Sequence, residues 1–193
     1  ENGLVKPEDQ LRFLSRIHQE ADRLVALIND ILRLSQLDEG GALPHEQVSV
    51  LELAQEAARS LTAQAAAKAV HISVTGTAGT VFGVRRLLYE IARNLCENAV
   101  KYNVPGGSVT VEVAETDRDV TLLVRDTGIG IPEGDQSRVF ERFYRVDKSH
   151  SRAIGGTGLG LSIVKHAVAY HHGTLQPGKG TVITVTLPKK PTE

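Results

Sequence analysis

The sequence predicts an α/β protein: a two-layer sandwich of helices on a mixed, mostly antiparallel sheet, preceded by a long helix that stands apart. Three observations predict it. Residues 108–116 and 119–126 alternate apolar and polar side chains, as two strands joined by a polar hairpin at Asp117–Asp119. Helix-patterned stretches at 51–70, 84–101 and 159–172 are interleaved with such strands. Residues 8–37 repeat apolar positions at spacings of three and four.

Taken in order, the first helix opens with Pro7 in its first turn and with Glu8 and Asp9 at its positive end. Leu14, Ile17, Ala21, Leu24, Ile28, Ile31 and Ser35 form a heptad seam, which Leu27 and Leu34 widen. Gly40 and Gly41 stop it. Such a stripe packs either on the rest of the chain or into an intermolecular bundle, and the bundle is the expectation. Residues 42–47 read as a linker. An Ala-rich helix (51–70) and a strand (71–76) follow, then the helix at 84–101 and a turn at 104–107. After the hairpin come a loop at 127–135, a short helix at 135–143 and a segment at 145–158 without periodicity, expected to be mobile. A helix (159–172) and a closing strand (180–188) complete the order.

Composition narrows the function. With 22 Lys plus Arg against 23 Asp plus Glu, no global basic field draws nucleic acid or anionic lipid. The single cysteine, Cys96, rules out an internal disulfide framework and cysteine-built metal clusters. It reads as a small core residue and fits a reducing compartment. No stretch reaches the ~20 apolar residues that span a bilayer, and no signal peptide is visible. The chain opens "ENGLVKPEDQ" and contains no Met, so a piece of a longer protein is expected.

Four stretches carry chemistry. In "NLCENAVKYN", Asn94, Asn98 and Lys101 share one helical face beside the apolar stripe. A carboxamide oxygen is a hard ligand suited to Mg²⁺, and an ammonium is a point charge for phosphate. In "RDTGIGIP", Asp126 ends a strand where a carboxylate accepts from an exocyclic amine, and Gly128 and Gly130 let a flat ligand approach the backbone. "FERFYRVDKSHSR" gathers Phe140, Phe143 and Tyr144 with Arg142, Arg145, Lys148 and Arg152; the two Phe are spaced to anchor a helix. "GGTGLGLSIVKH" places Gly155, Gly156, Gly158 and Gly160 before a helix whose N–H groups suit phosphate oxygens. Each alone has a plain reading: a solvated face, a turn, core aromatics, a glycine loop. Together they supply a base pocket, a metal ligand, phosphate cations and a glycine lid.

This combination resembles the catalytic part of the sensor histidine kinases of bacterial two-component systems, within the gyrase, heat-shock chaperone, histidine kinase and mismatch-repair ATPases. "NLCENAVKY" resembles the N box, "DTGIGIP" and "GGTGLGLSIVKH" the two glycine boxes, and "FERFYR" the F box. Residues 8–40, ending "LSQLDEG", resemble the second helix of the dimerisation and phosphotransfer domain. The resemblance implies a Bergerat-type ATP-binding fold over 48–193, a linker at 42–47 and a partial dimerisation helix over 1–41. It implies Mg²⁺ on Asn98 with Asn94 in support, phosphate on Lys101 and Arg145, and Tyr102 and Tyr144 along the nucleotide. Asp126 takes the adenine amino group. Gly128 and Gly130 shape the base pocket. Gly156, Gly158, Leu159 and Gly160 form the lid and its phosphate-facing helix start, and Thr181 reaches the adenine site through water.

The cofactors implied are ATP and Mg²⁺. The partners implied are a second copy through the helical bundle and a response regulator receiver domain, with no nucleic acid. The place implied is the cytoplasmic portion of a membrane-anchored sensor, with the membrane reached only through segments outside this sequence. Related ATPases carry a Glu general base where this chain has Asn94, which favours phosphoryl transfer to a protein over hydrolysis. None of the seven histidines sits in a phosphoacceptor motif, so the expectation is ATP binding without autophosphorylation. "HHGTLQPGKGT" is shorter than the family's usual segment, either as a true deletion or because residues are missing there. An anti-sigma serine kinase shares the nucleotide fold but lacks a heptad helix. Two more readings stay open: a non-catalytic nucleotide-binding dimerisation module, and a gyrase-like ATPase, which steady hydrolysis by this chain alone would favour.

Overall fold

A computed structural model describes residues 7–38, 43–146, 157–178 and 181–190. Helix α1 spans Pro7–Asp38. Most of its described apolar side chains face outward: Leu14, Ile17, Leu24 and Ile28 are all more than half exposed. Leu27 is the exception, packed against Leu159 and Ile163. Each large apolar side chain left in water forgoes about 1.5–3 kcal/mol of burial, so the seam is built for a cover. The expected glycine stop at 40–41 lies outside the described residues.

Strand β1 (Glu46–Ser49) begins inside the linker expected at 42–47. It pairs antiparallel with β3 (Thr80–Gly83), with Val48 opposite Val81. Neither strand is long enough to show alternation. Ser49 then caps α2 (Val50–Ser60), its Oγ accepting from the Glu52 N–H at 3.3 Å. The expected single helix over 51–70 is broken: α2 ends at Ser60 and α3 runs Thr62–Ala67. The hydroxyls of Ser60 and Thr62 donate back to Ala57 O and Arg59 O at 2.7 and 2.9 Å, competing for helix carbonyls around the buried Leu61.

The main sheet has the order β2–β4–β5–β7–β6. β2 is His71–Gly76, β4 Ser108–Glu115, β5 Asp119–Asp126, β6 Thr174–Pro177 and β7 Val182–Pro188. Only β2 and β4 run parallel; the other pairs are antiparallel. The sheet is therefore mixed and mostly antiparallel, as the alternation predicts. Val109, Val111, Val113, Val120, Leu122, Val124, Val185 and Leu187 form its buried face. Helix α4 (Arg85–Lys101) contributes Ile91, Leu95, Cys96 and Val100 to the same core, and α5 (Gly160–Tyr170) contributes Val164, Ala167 and Val168. The short "GTLQPG" region forms β6, a four-residue edge strand on β7.

The expected helix at 135–143 does not form. A 3₁₀ turn at Glu133–Asp135 leads into successive turns, with Arg138 N–H on Asp135 O and Glu141 N–H on Arg138 O. Phe143 takes φ +64°, which no right-handed helix continues. Of the two Phe meant to anchor it, Phe140 is buried and Phe143 is exposed. Most of the aperiodic segment, residues 147–156, lies outside the described residues, including Lys148, Arg152, Gly155 and Gly156.

Candidate nucleotide site

Helix α4 starts without a side-chain cap at Val84. Instead the Val84 N–H donates to Nε2 of buried His171 at 3.0 Å. Nδ1 of His171 lies 2.7 Å from Ala167 O, so the ring is held neutral with its proton on Nδ1. Burial pushes its pKa down.

Near the middle of α4, Asn94 is buried. Its Nδ2 donates to Glu90 O at 2.8 Å and to a Glu90 carboxylate oxygen at 3.2 Å. That fixes the amide and leaves Oδ1 facing the start of α5. A Cβ added to Gly160 would lie 3.0 Å from Asn94 Oδ1 and 3.9 Å from Asn98 Nδ2. The glycine thus keeps open the space in front of both amides. Among the described residues no cluster of three His, Cys, Asp or Glu side chains forms. The amide oxygen at this cradle is Asn94 Oδ1, while Asn98 presents Nδ2, so a magnesium ion fits the donor set with the Asn98 carboxamide turned to bring its own oxygen inward.

At the end of α4, Lys101 and Tyr102 are half-buried. Burial lowers the Lys101 pKa, Glu97 opposes that, and the charges of Arg145 and Lys68 add to it. Burial raises the Tyr102 pKa, again against Arg145. Lys101 thus bears the repulsion of two other cations, Arg145 and Lys68, which a bound anion among them removes.

Asp126 closes β5. Its Oδ1 accepts from the Gly128 N–H at 2.8 Å, and its backbone N–H donates to Thr181 O at 3.2 Å. The Thr181 hydroxyl donates to Asp126 O. Burial raises the carboxyl pKa, and the Gly128 N–H and Thr181 hydroxyl pull it back. A Cβ at Gly128 would lie 2.4 Å from Tyr102 O and 2.9 Å from Asn103 Cα, so only glycine fits where this loop crosses the end of α4. The Ile129 N–H donates to Tyr102 O at 3.1 Å.

Gly158, at φ +75°, lies against Phe143, whose N–H donates to Gly158 O at 3.0 Å. Leu159, fully buried, seats the start of α5, and no side chain caps it. The first-turn N–H groups of that helix have no intrahelical partner, which is what suits them to an anion.

Along the C-terminal half of α4 the structure gathers Asn94, Asn98 and Gly160 at one point, with Gly158 and Leu159 leading into it, and Tyr102, Gly128, Asp126 and Thr181 at another beyond Lys101. Arg145 bears on Lys101 and Tyr102 through its charge. Gly130 stands by Thr181, 3.9 Å from a Cβ it lacks to Cγ2. Tyr144 is turned elsewhere: its hydroxyl donates to Asp135 and the Arg138 guanidinium lies 4.3 Å over its ring. Gly156 lies outside the described residues. Sequence reasoning missed Glu90, Asn103 and Thr127, and the adjacent His171 and His172, which it reads as a surface pair, divide: His171 is buried and His172 exposed. Asn103 gave a signal, a polar residue directly after the apolar helix end.

A model of the histidine kinase-, DNA gyrase B- and HSP90-like ATPase family matches residues 83–191. A model of the His Kinase A (phospho-acceptor) domain matches residues 1–40. The chain is 39% identical to the sensor-like histidine kinase SenX3 of Mycolicibacterium smegmatis over 96% of its own length and 50% of that protein. It thus spans about half the length of that curated relative. Among solved structures, a mycobacterial sensor histidine kinase MprB superposes with a TM-score of 0.66 at 30% identity, over 77% of this chain and 100% of that one. Full-length ShkA in complex with AMPPNP superposes with a TM-score of 0.75 at 25% identity, over 97% of this chain and 40% of that one.

Proposed function

This chain belongs to the histidine kinase-, DNA gyrase B- and HSP90-like ATPase family and, within it, to the sensor histidine kinases; from that premise we propose that it grips MgATP between α4 and the start of α5. The γ-phosphoryl group then passes to a histidine on a phosphoacceptor helix, and from there to an aspartate of a response regulator.

The observation that carries this reading is the run of polar groups along the C-terminal half of α4. Two amides face the Gly160 cradle, two cations press on each other at Lys101 and Arg145, and a half-buried carboxylate sits at Asp126. Asp126 accepts the adenine amino group. Gly128 and Gly130 let the base lie against the backbone, and Thr181 holds a water there. Tyr102 lines the nucleotide. Lys101 and Arg145 neutralise the phosphates and orient the terminal one. Asn98, with Asn94 in support, holds the metal, which supplies charge neutralisation on the phosphate oxygens when bound. Gly156, Gly158, Leu159 and Gly160 close over the phosphates and direct N–H groups at them. Tyr144, expected along the nucleotide, takes no part in this reading: its hydroxyl is committed to Asp135 and its ring to the Arg138 guanidinium.

Asn94 stands where a hydrolytic relative has its general base. A carboxamide takes no proton, so it does not activate water, which favours a protein side chain over water as acceptor. The uncovered seam of α1 pairs with a second copy in a helical bundle, and the intact sensor carries this unit on the cytoplasmic side of a membrane. No helix among the described residues is long and apolar enough to cross one.

Calorimetry with ATP and Mg²⁺ tests the reading first. Uptake is expected, and it is expected to vanish when Asn98 and Asp126 are both replaced by Ala. Labelled ATP with a separately supplied acceptor-helix domain then tests phosphotransfer. Absent uptake, or uptake indifferent to the double replacement, overturns the proposal.

A further inference from the structure

We propose that Asn103 is a positioning residue for base recognition: with Thr127 it locks the end of α4 to the end of β5 and so sets where Asp126 stands relative to Tyr102. This rests on the reading of Asp126 as the acceptor of the adenine amino group.

Asn103 is buried, 5% exposed, and follows Tyr102, the C-cap of α4. Its Nδ2 donates to Ser108 O at 3.0 Å. Its Oδ1 accepts from the Val104 N–H at 2.9 Å and from the Thr127 hydroxyl at 3.2 Å. Thr127 in turn accepts from the Ser108 N–H at 2.9 Å, and its own N–H donates to Ser108 O. Three segments are therefore tied at one point: the end of α4, the start of β4 and the residue after Asp126. Lys68 adds a strap from the turn after α3, donating to Lys101 O at 2.5 Å and Asn103 O at 3.3 Å. The packing is tight enough that a Cβ at Gly107 would lie 2.1 Å from Asn103 Oδ1 and 2.6 Å from Thr127 Oγ1.

The link matters for the base because its two ends are chain neighbours of the two pocket walls. Asn103 follows Tyr102, and Thr127 follows Asp126. An Asn–Thr contact joining residues 24 apart in sequence holds those walls in register. Recognition of an exocyclic amine needs its acceptor held to about 0.5 Å, since a hydrogen bond weakens steeply with distance and angle. A hydrophobic clamp would bury area but would not fix direction; a pair of directed bonds does.

The test compares MgADP with MgIDP, in which a carbonyl oxygen replaces the amino group, by calorimetry on wild type, Asn103→Ala, Thr127→Val and the double variant. Wild type is expected to prefer ADP. In each single variant the ADP-to-IDP affinity ratio falls about tenfold, the effect of loosening one directed hydrogen bond, while IDP affinity stays within about threefold. The double variant lowers the ratio by less than the product of the two single effects, because both changes cut the shared Asn103–Thr127 bond. A ratio of two ligands on the same folded sample is insensitive to overall stability, and Thr127→Val, a change at an exposed side chain, carries the test if Asn103→Ala does not fold. An unchanged ratio in the folded variants overturns the proposal. A wild type that does not discriminate ADP from IDP sinks the adenine reading itself, a result distinct from the first.

Discussion

Replacing Gly128 by Ala tests whether the base pocket depends on close backbone approach. The added methyl would lie 2.4 Å from Tyr102 O, 2.7 Å from Asp126 Oδ1 and 2.9 Å from Asn103 Cα. Two of these three atoms are backbone, so no rotamer change relieves the clash. The loop must lift, which breaks the Gly128 N–H bond to Asp126 and stretches the Ile129 N–H bond to Tyr102 O. Overpacking of this kind costs roughly 1–3 kcal/mol of stability. A released carboxylate forfeits a charge-assisted bond to the base worth roughly 1.5–3 kcal/mol, about 10- to 150-fold in affinity. Gly134 is the control: nothing lies within 4 Å of a Cβ there. Gly134→Ala should leave affinity alone and shift stability by less than about 1 kcal/mol. Calorimetry with MgADP and thermal melting of both variants read these effects. A folded Gly128→Ala protein that binds MgADP within about threefold of wild type refutes the reasoning.

Three further outcomes are expected. Asp126→Asn should weaken ADP binding yet raise the melting temperature of the ligand-free protein at pH 7, because burial penalises the carboxylate. That penalty is full above the carboxyl's raised folded pKa and fades as pH falls through it, so the gain should shrink in acid; a melting temperature unchanged or lowered at pH 7 contradicts this. His171, with its folded pKa depressed, binds protons less readily folded than unfolded. Its contribution is therefore full above about pH 6.5 and lost as pH falls below that; urea midpoints at pH 7.5 and 5.5 should differ less in His171→Gln, and equal slopes would count against it. Burial pushes the Cys96 thiol up to about 12, so thiol reagents should label it only on unfolding, and stoichiometric labelling of the native protein within minutes would contradict its placement.

What the sequence made legible were the long, strongly patterned elements. Eight-residue strands β4 and β5 alternate through the core, and α4 carries its apolar and polar faces over seventeen residues. The site motifs were legible for the same reason: Asn94, Asn98 and Lys101 are organised by a single helix. Short or cooperative features were not. β1 and β3 each offer four residues, and their pairing is set by contacts more than thirty positions apart. The break at Leu61 arises from two flanking hydroxyls rather than from a Gly or Pro. The helix expected at 135–143 fails at Phe143, whose left-handed backbone is fixed by its bond to Gly158, a residue fifteen positions on. The lock at Asn103 was invisible because Thr127 reaches it only once the sheet has formed.

Asp126 terminates a strand flanked on both sides by partners, and Thr181 leads into one of those partners. A base held at Asp126, as proposed, would lie in a mould cast at the end of an inner strand, and reshaping it would mean tearing a central ladder. On that proposal, on–off control falls to the opposite, triphosphate end. An inhibitor shaped only to the base would meet the same rigid imprint whether the enzyme were idle or working.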